Sequence, residues 1–179
     1  MLNTEHTLLL VIDVQGKLAD LAWRSERLRS NIHVLIEGMK ILGVPMLATE
    51  QYPKGLGPTV EEISGALGDA PVIEKNSFSC CGEFNFEVKL NELHKTDILV
   101  CGIETHVCVY QTTRDLLDLG YNVHLVTDAV SSRTEDNWKL GIEKCKSLGA
   151  KMTGTEMALF EMLRKSGTEE FKAISKLVK

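Results

Sequence analysis

The sequence predicts an α/β fold with three layers, α/β/α, around a mostly parallel six-stranded sheet of Rossmann-like type. Three observations predict it. Short apolar runs alternate with segments of 3.6-residue apolar period. The runs are continuous rather than polar–apolar alternating, as expected of parallel strands buried on both faces. The helical segments stop at Gly43, Gly120 and Gly149, each just ahead of the next strand.

The first strand, 8–13, is Leu8-Leu9-Leu10-Val11-Ile12 ending in Asp13. A helix over 26–42 carries Leu28, Ile32, Leu35, Ile36, Met39 and Leu42 on one face. A strand at 45–49 opens with Pro45. It leads into Gln51-Tyr52-Pro53-Lys54-Gly55-Leu56-Gly57-Pro58-Thr59, a Gly- and Pro-rich loop at a strand tip, read as a site wall, a lid or a plain turn. A helix at 58–67 precedes the strand 72–74, which ends in Glu74-Lys75. After a helix at 84–94, the strand 97–101 is broken by Gly102, and Thr105 is placed to cap a helix over 105–119. Strands at 122–127 and 150–153 and helices at 134–148 and 155–164 complete the alternation. Residues 168–179 read as a short amphipathic helix presenting Phe171, Ile174, Leu177 and Val178 to the domain or to a partner subunit. With no repeat and no linker, 1–179 is expected to be one domain, with 166–179 as a helical tail.

Composition narrows the function. The 44% of hydrophobic residues supplies a sizeable core, and 20 basic against 25 acidic residues give a net charge of −5. That balance argues against a nucleic-acid surface, which needs a basic patch. The apolar runs are too short to span a membrane, and Met1–Thr7 has no signal-peptide pattern. The five cysteines are odd in number and lack a Cys-x-x-Cys pair, so a reduced, cytoplasmic protein is expected.

The chemistry is carried by three strand ends. Cys108 falls in the first turn of a helix that follows a parallel strand, where unpaired N–H groups favour thiolate. Read alone, it is either a nucleophile or a buried cysteine packed as a small apolar residue. Asp13 and Lys75 end two other apolar runs, and each alone reads more readily as a solvated strand tip than as a catalytic group. Together the three put an acid, an amine and a thiol at one sheet edge, the set needed to activate a thiol.

With these motifs the chain resembles the isochorismatase-like cysteine hydrolases, relatives of nicotinamidase and N-carbamoylsarcosine amidohydrolase. The matching segments are Val11-Ile12-Asp13-Val14-Gln15, Glu74-Lys75, Gly102-Ile103-Glu104-Thr105-His106-Val107-Cys108-Val109 and Thr127-Asp128-Ala129-Val130, spread over about residues 6–165. The resemblance implies a catalytic triad of Asp13, Lys75 and Cys108. It also implies a cis peptide between Ile103 and Glu104, which aims the Glu104 N–H, with that of Cys108, at an oxyanion. A homo-oligomer is implied as well. Nicotinamidases bind a metal through an Asp-x-His pair after the second strand plus another histidine. Here Ala48-Thr49-Glu50-Gln51-Tyr52 stands there and no histidine lies between His33 and His94, so no metal and no other cofactor is expected.

The expected activity is hydrolysis of a C–N bond in a small amide or carbamoyl compound through a thioester, with Asp13 taking the thiol proton and Lys75 lowering the thiol pKa. Leu18, Tyr52, Phe78, His106 and Val107 are expected to line the substrate pocket, with Glu104 repelling carboxylates nearby. The alternatives are a thiol redox or stress-response protein that senses through Cys108, a vinyl ether hydrolase of isochorismatase type, and a non-catalytic binding module.

Overall fold

The computed structural model describes all 179 residues. Six strands form one sheet: β1 (Thr7–Ile12), β2 (Met46–Gln51), β3 (Val72–Lys75), β4 (Asp97–Ile103), β5 (Asn122–Ser131) and β6 (Lys151–Thr153). Every pairing is parallel, in the order β3-β2-β1-β4-β5-β6. The winding reverses between β1 and β4. Loops leaving the C-terminal ends of those two strands diverge there, and the gap between them is where open α/β sheets hold ligands.

Nine helices flank the sheet: α1 (Gly16–Asp20), α2 (Ser25–Leu42), α3 (Pro53–Leu56), α4 (Glu61–Leu67), α5 (Phe84–Glu92), α6 (Tyr110–Asp118), α7 (Glu135–Ser147), α8 (Thr155–Leu163) and α9 (Glu169–Leu177). The continuous apolar strands bury both faces. Leu9 and Val11 of β1 join Leu99 and Cys101 of β4 in a core under α2, α4, α8 and α9. Leu8, Leu10 and Ile12 join Ile98 and Val100 in a second core that includes Phe86 and Leu90 of α5, Leu116 of α6 and Cys145 of α7. The tail helix α9 is capped by the Thr168 hydroxyl, which accepts from Phe171 N at 3.1 Å. Its Ile174 is fully buried in the first core, so α9 packs on its own domain.

Two helices were not expected from sequence. α1 and α3 are only five and four residues long, and no side chain caps either of them. α3 falls within the segment read as loop 51–59. β5 also runs four residues further than expected, past a shift in its pairing with β4 between Val100 and Gly102. That shift accommodates Gly102, which has φ +115°. A Cβ there would lie 2.1 Å from the Ile12 carbonyl oxygen. Only glycine lets β4 approach β1 this closely, and this contact sits directly beneath the gap at the switch point.

Candidate active site

Asp13 is the first residue past β1. Its backbone is left-handed, with φ 52°, a conformation that aspartate tolerates better than most residues. Its N–H donates to Thr49 O (3.1 Å) and the Thr49 hydroxyl donates to Oδ1 (2.7 Å), so the carboxylate is clamped across β1 and β2. Lys75, the last residue of β3, reaches past β2 to place Nζ 2.7 Å from Asp13 Oδ2; both side chains are almost fully buried. The ammonium also donates to Gln51 Oε1 (2.7 Å) and to the carbonyls of Phe78 (3.1 Å) and Ser77 (3.2 Å). Burial is the largest single influence and opposes its charge, but Asp13, together with smaller contributions from Cys108 and Cys80, outweighs it, and the Lys75 pKa is raised. Lys75 is therefore a fixed cation. Asp13 Oδ2 is buried and makes no hydrogen bond beyond this ion pair.

Cys108 approaches from β4. The Ile103–Glu104 peptide is cis, and the chain then enters one wide turn, Thr105–Val109, closed by Val109 N donating to Glu104 O (3.2 Å), five residues back. Such turns recur at functional sites. Thr105 does not cap the helix as expected. Its hydroxyl has no partner, because the wide turn leaves the residue buried against Gly141 of α7. The Cys108 thiol is pushed up to about 12, chiefly by burial and next by the Asp13 charge, with Lys75 pulling the other way. This corrects the expectation of a thiol lowered by Lys75: the cation is present, but the desolvation of a nearly buried sulfur and the adjacent carboxylate outweigh it. Burial and the Asp13 charge thus favour the protonated thiol beside the Lys75 ammonium.

These groups open into a pocket of about 160 Å³. Leu18, Leu56, Phe78, Ile103 and Val107 form its apolar wall; Asp13, Gln51, Glu104 and Cys108 supply the polar atoms. The model for the isochorismatase domain matches residues 7–157, so it takes in every residue of this pocket. The chain belongs to the isochorismatase family. The family relatives span nearly the whole chain. It is 42% identical to the secreted isochorismatase effector Isc1 of Phytophthora sojae, over 97% of this chain and 84% of that protein. It is 36% identical to isochorismatase domain-containing protein 2 of Danio rerio, over 99% of this chain and 89% of that protein. The structure of a protein described as MAR1 ribonuclease from Caenorhabditis elegans superposes with a TM-score of 0.93 at 36% identity, covering 99% of this chain and 91% of that one. The fold is that of the isochorismatase-family hydrolases.

Two residues expected in this isochorismatase-family pocket do not line it. Tyr52 is 54% exposed, in a left-handed conformation ahead of α3, with its ring packed over Gly55. His106 turns to Ser132, its Nδ1 3.0 Å from Oγ. Glu104 lines the pocket, but its Oε1 accepts from Arg133 N (3.1 Å) and Nε (3.0 Å), so its charge is paired rather than free to repel. Sequence reading missed the residues that brace the site. Gln51 is the register partner of Lys75 in β3 and orients it. Gln15 holds Gln51 at both backbone groups, accepting from its N–H (2.6 Å) and donating to its carbonyl (3.1 Å). The signal was the parallel alignment of two strands ending in Gln51 and Lys75. No group of three or more His, Cys, Asp or Glu side chains is placed to share a metal ion.

Proposed function

We propose that the chain hydrolyses the C–N bond of small, neutral amides through a Cys108 thioester. The observation that carries this reading is the meeting of Asp13, Lys75 and Cys108 in one apolar pocket at the sheet's switch point. As Sγ attacks the carbonyl carbon, the thiol proton passes to Asp13. Carboxylate and thiol become carboxylic acid and thiolate beside an unchanged ammonium, so the net charge of the buried site stays constant. A proton moved within a fixed-charge site needs little reorganisation. The N–H groups of Glu104 and Cys108 stabilise the oxyanion. Asp13 then returns the proton to the departing amine, and water attacks the thioester to release the acid and restore the thiol.

The pocket selects for neutral substrates. No cation is among the residues that line it; behind them, Lys75 is held by Asp13, Gln51 and two carbonyls, and Arg133 is taken by Glu104. A substrate carboxylate would be desolvated without a partner. The volume of about 160 Å³ is close to that of an apolar cavity that holds benzene, about 150 Å³. Ammonia release from isobutyramide and benzamide is therefore expected to exceed that from succinamate and phthalamate by about a hundredfold or more in kcat/KM. If no amide releases ammonia and none acylates Cys108 by intact-protein mass, the reading fails. The same preparations incubated with homopolymeric RNA test the activity that the name of the worm protein raises.

The thiol's resting state gives a second expected outcome. Iodoacetamide should label Cys108 slowly at neutral pH, faster as pH climbs toward about 12. Asp13→Asn removes the carboxylate that raises the thiol and leaves the Lys75 cation that lowers it. This variant should alkylate faster than the parent at pH 7.5 while losing amide turnover. Slower labelling in Asp13→Asn would show that the carboxylate does not control the thiol.

A further inference from the structure

We infer that Gln15 is a positioning residue: it ties the pocket wall at Leu56 to the Lys75 ammonium, so that the wall and the Asp13–Lys75 pair hold their geometry together. The inference rests on the reading that Asp13, Lys75 and Cys108 work as one site. Gln15 is fully buried, and its side-chain amide makes three hydrogen bonds. Oε1 accepts from Gln51 N (2.6 Å), while Nε2 donates to Gln51 O (3.1 Å) and to Gly57 O (2.7 Å). The first two copy a strand pairing. The last register pair of β1 with β2 is Ile12 with Thr49, and the main chain then turns away at the left-handed Asp13. The Gln15 amide takes over there and holds Gln51, the final residue of β2.

From Gln51 the bonds run on to the reactive pair. Its Oε1 accepts from Lys75 Nζ, and its Nε2 donates to Asn76 O (2.9 Å). An ammonium has three N–H donors, and Lys75 faces four acceptors: Asp13, Gln51 and the carbonyls of Ser77 and Phe78. Where Nζ settles depends on which of them stay in place. In the other direction the bonds run to the wall. Gly57 follows Leu56, Pro58 O accepts from Gly16 N (3.2 Å), and Thr59 pairs with Gln15 in an antiparallel bridge. A Cβ on Gly16 would lie 2.5 Å from Leu56 O, so the wall segment is seated directly on Gln15 and Gly16. Leu56 and Phe78 both line the pocket and reach solvent. They are the two ends of one hydrogen-bonded chain with Lys75 inside it. An acyl group that presses on either wall residue therefore bears on the ammonium.

The pH profile of Cys108 labelling by iodoacetamide, read by peptide mass in the full chain, tests this without any amide. Its outcome is therefore separate from success or failure of the hydrolase reading. Gln15→Met changes no charge, yet it should move the labelling rate by about threefold or more toward that of Lys75→Met. Gln51→Met, at a half-buried position, should do the same and serves where the buried variant folds poorly. In the Lys75→Met background, Gln15→Met should add less than half of its own effect, because it acts through the lysine. Thr59→Val removes the hydroxyl that donates to Glu50 Oε1 (2.7 Å). It weakens the same segment outside this chain of bonds and should label as the parent does. Parent-like labelling in Gln51→Met overturns the inference. So does an effect of Gln15→Met that adds in full to Lys75→Met, or an equal shift in Thr59→Val.

Discussion

Cys108→Ala is expected to lower kcat/KM for the best neutral amide by about 10⁴-fold or more, the scale seen when a covalent nucleophile is removed. The side chain is nearly buried and small, so the thermal midpoint should move little. The adduct seen by intact-protein mass with the parent should vanish. Cys108→Ser tests the same step from another direction: it keeps a hydroxyl, but one that Asp13 is far less able to deprotonate. Retention of amide turnover within tenfold in Cys108→Ala would remove the nucleophile role. Were Cys108 a redox sensor instead, the alanine variant would keep its hydrolysis and lose only its response to peroxide.

Lys75→Met has the second large effect, on stability as well as turnover. Removing the cation leaves Asp13 buried and unpaired, a change that costs about 3–5 kcal/mol in comparable sites. Adding Asp13→Asn removes the stranded charge, so the double variant should recover more than half of the lost stability in urea unfolding. A double variant no more stable than Lys75→Met would mean that the pair is not coupled in the folded state. The sign with pH follows from the raised Lys75 pKa. Its contribution is fully present below the ordinary lysine value of 10.5 and fades as pH rises through the higher folded value. The gap between parent and Lys75→Met should therefore be constant near neutrality and close only in strong alkali.

The sheet and the meeting of Asp13, Lys75 and Cys108 at one of its edges were legible in the sequence because buried parallel strands leave a coarse mark. Five apolar residues ending in Asp13, or a run ending in Lys75, have little choice but to bring that charge to a strand tip. The bracing of the site was not legible. Thr49, Gln51 and Gln15 are ordinary polar residues near strand ends, and their value lies in contacts across β1, β2 and β3 that depend on register. Arg133 was missed for the same reason: it meets Glu104 across 29 positions of chain. Tyr52 and His106 were misplaced because side-chain direction depends on the local backbone. A left-handed φ at Tyr52 and a wide turn at His106 send each away from the pocket. The thiol's upward shift depends on burial, which a motif does not carry. α1 and α3 are too short, and too poor in caps, to stand out from a loop.

The close seating of Gly102 against Ile12 has an evolutionary corollary. Asp13 follows one of the touching strands and the Cys108 turn follows the other, so their spacing is set by main chain against main chain. Much of the pocket wall, including Leu56 and Phe78, belongs to surface segments outside those two strands. Mutation can therefore redraw the shape of the pocket without loosening Asp13 and Cys108, while almost any change at Gly102 would disturb both at once. A lineage carrying this frame is free to change what the pocket holds while Asp13 and Cys108 keep one spacing.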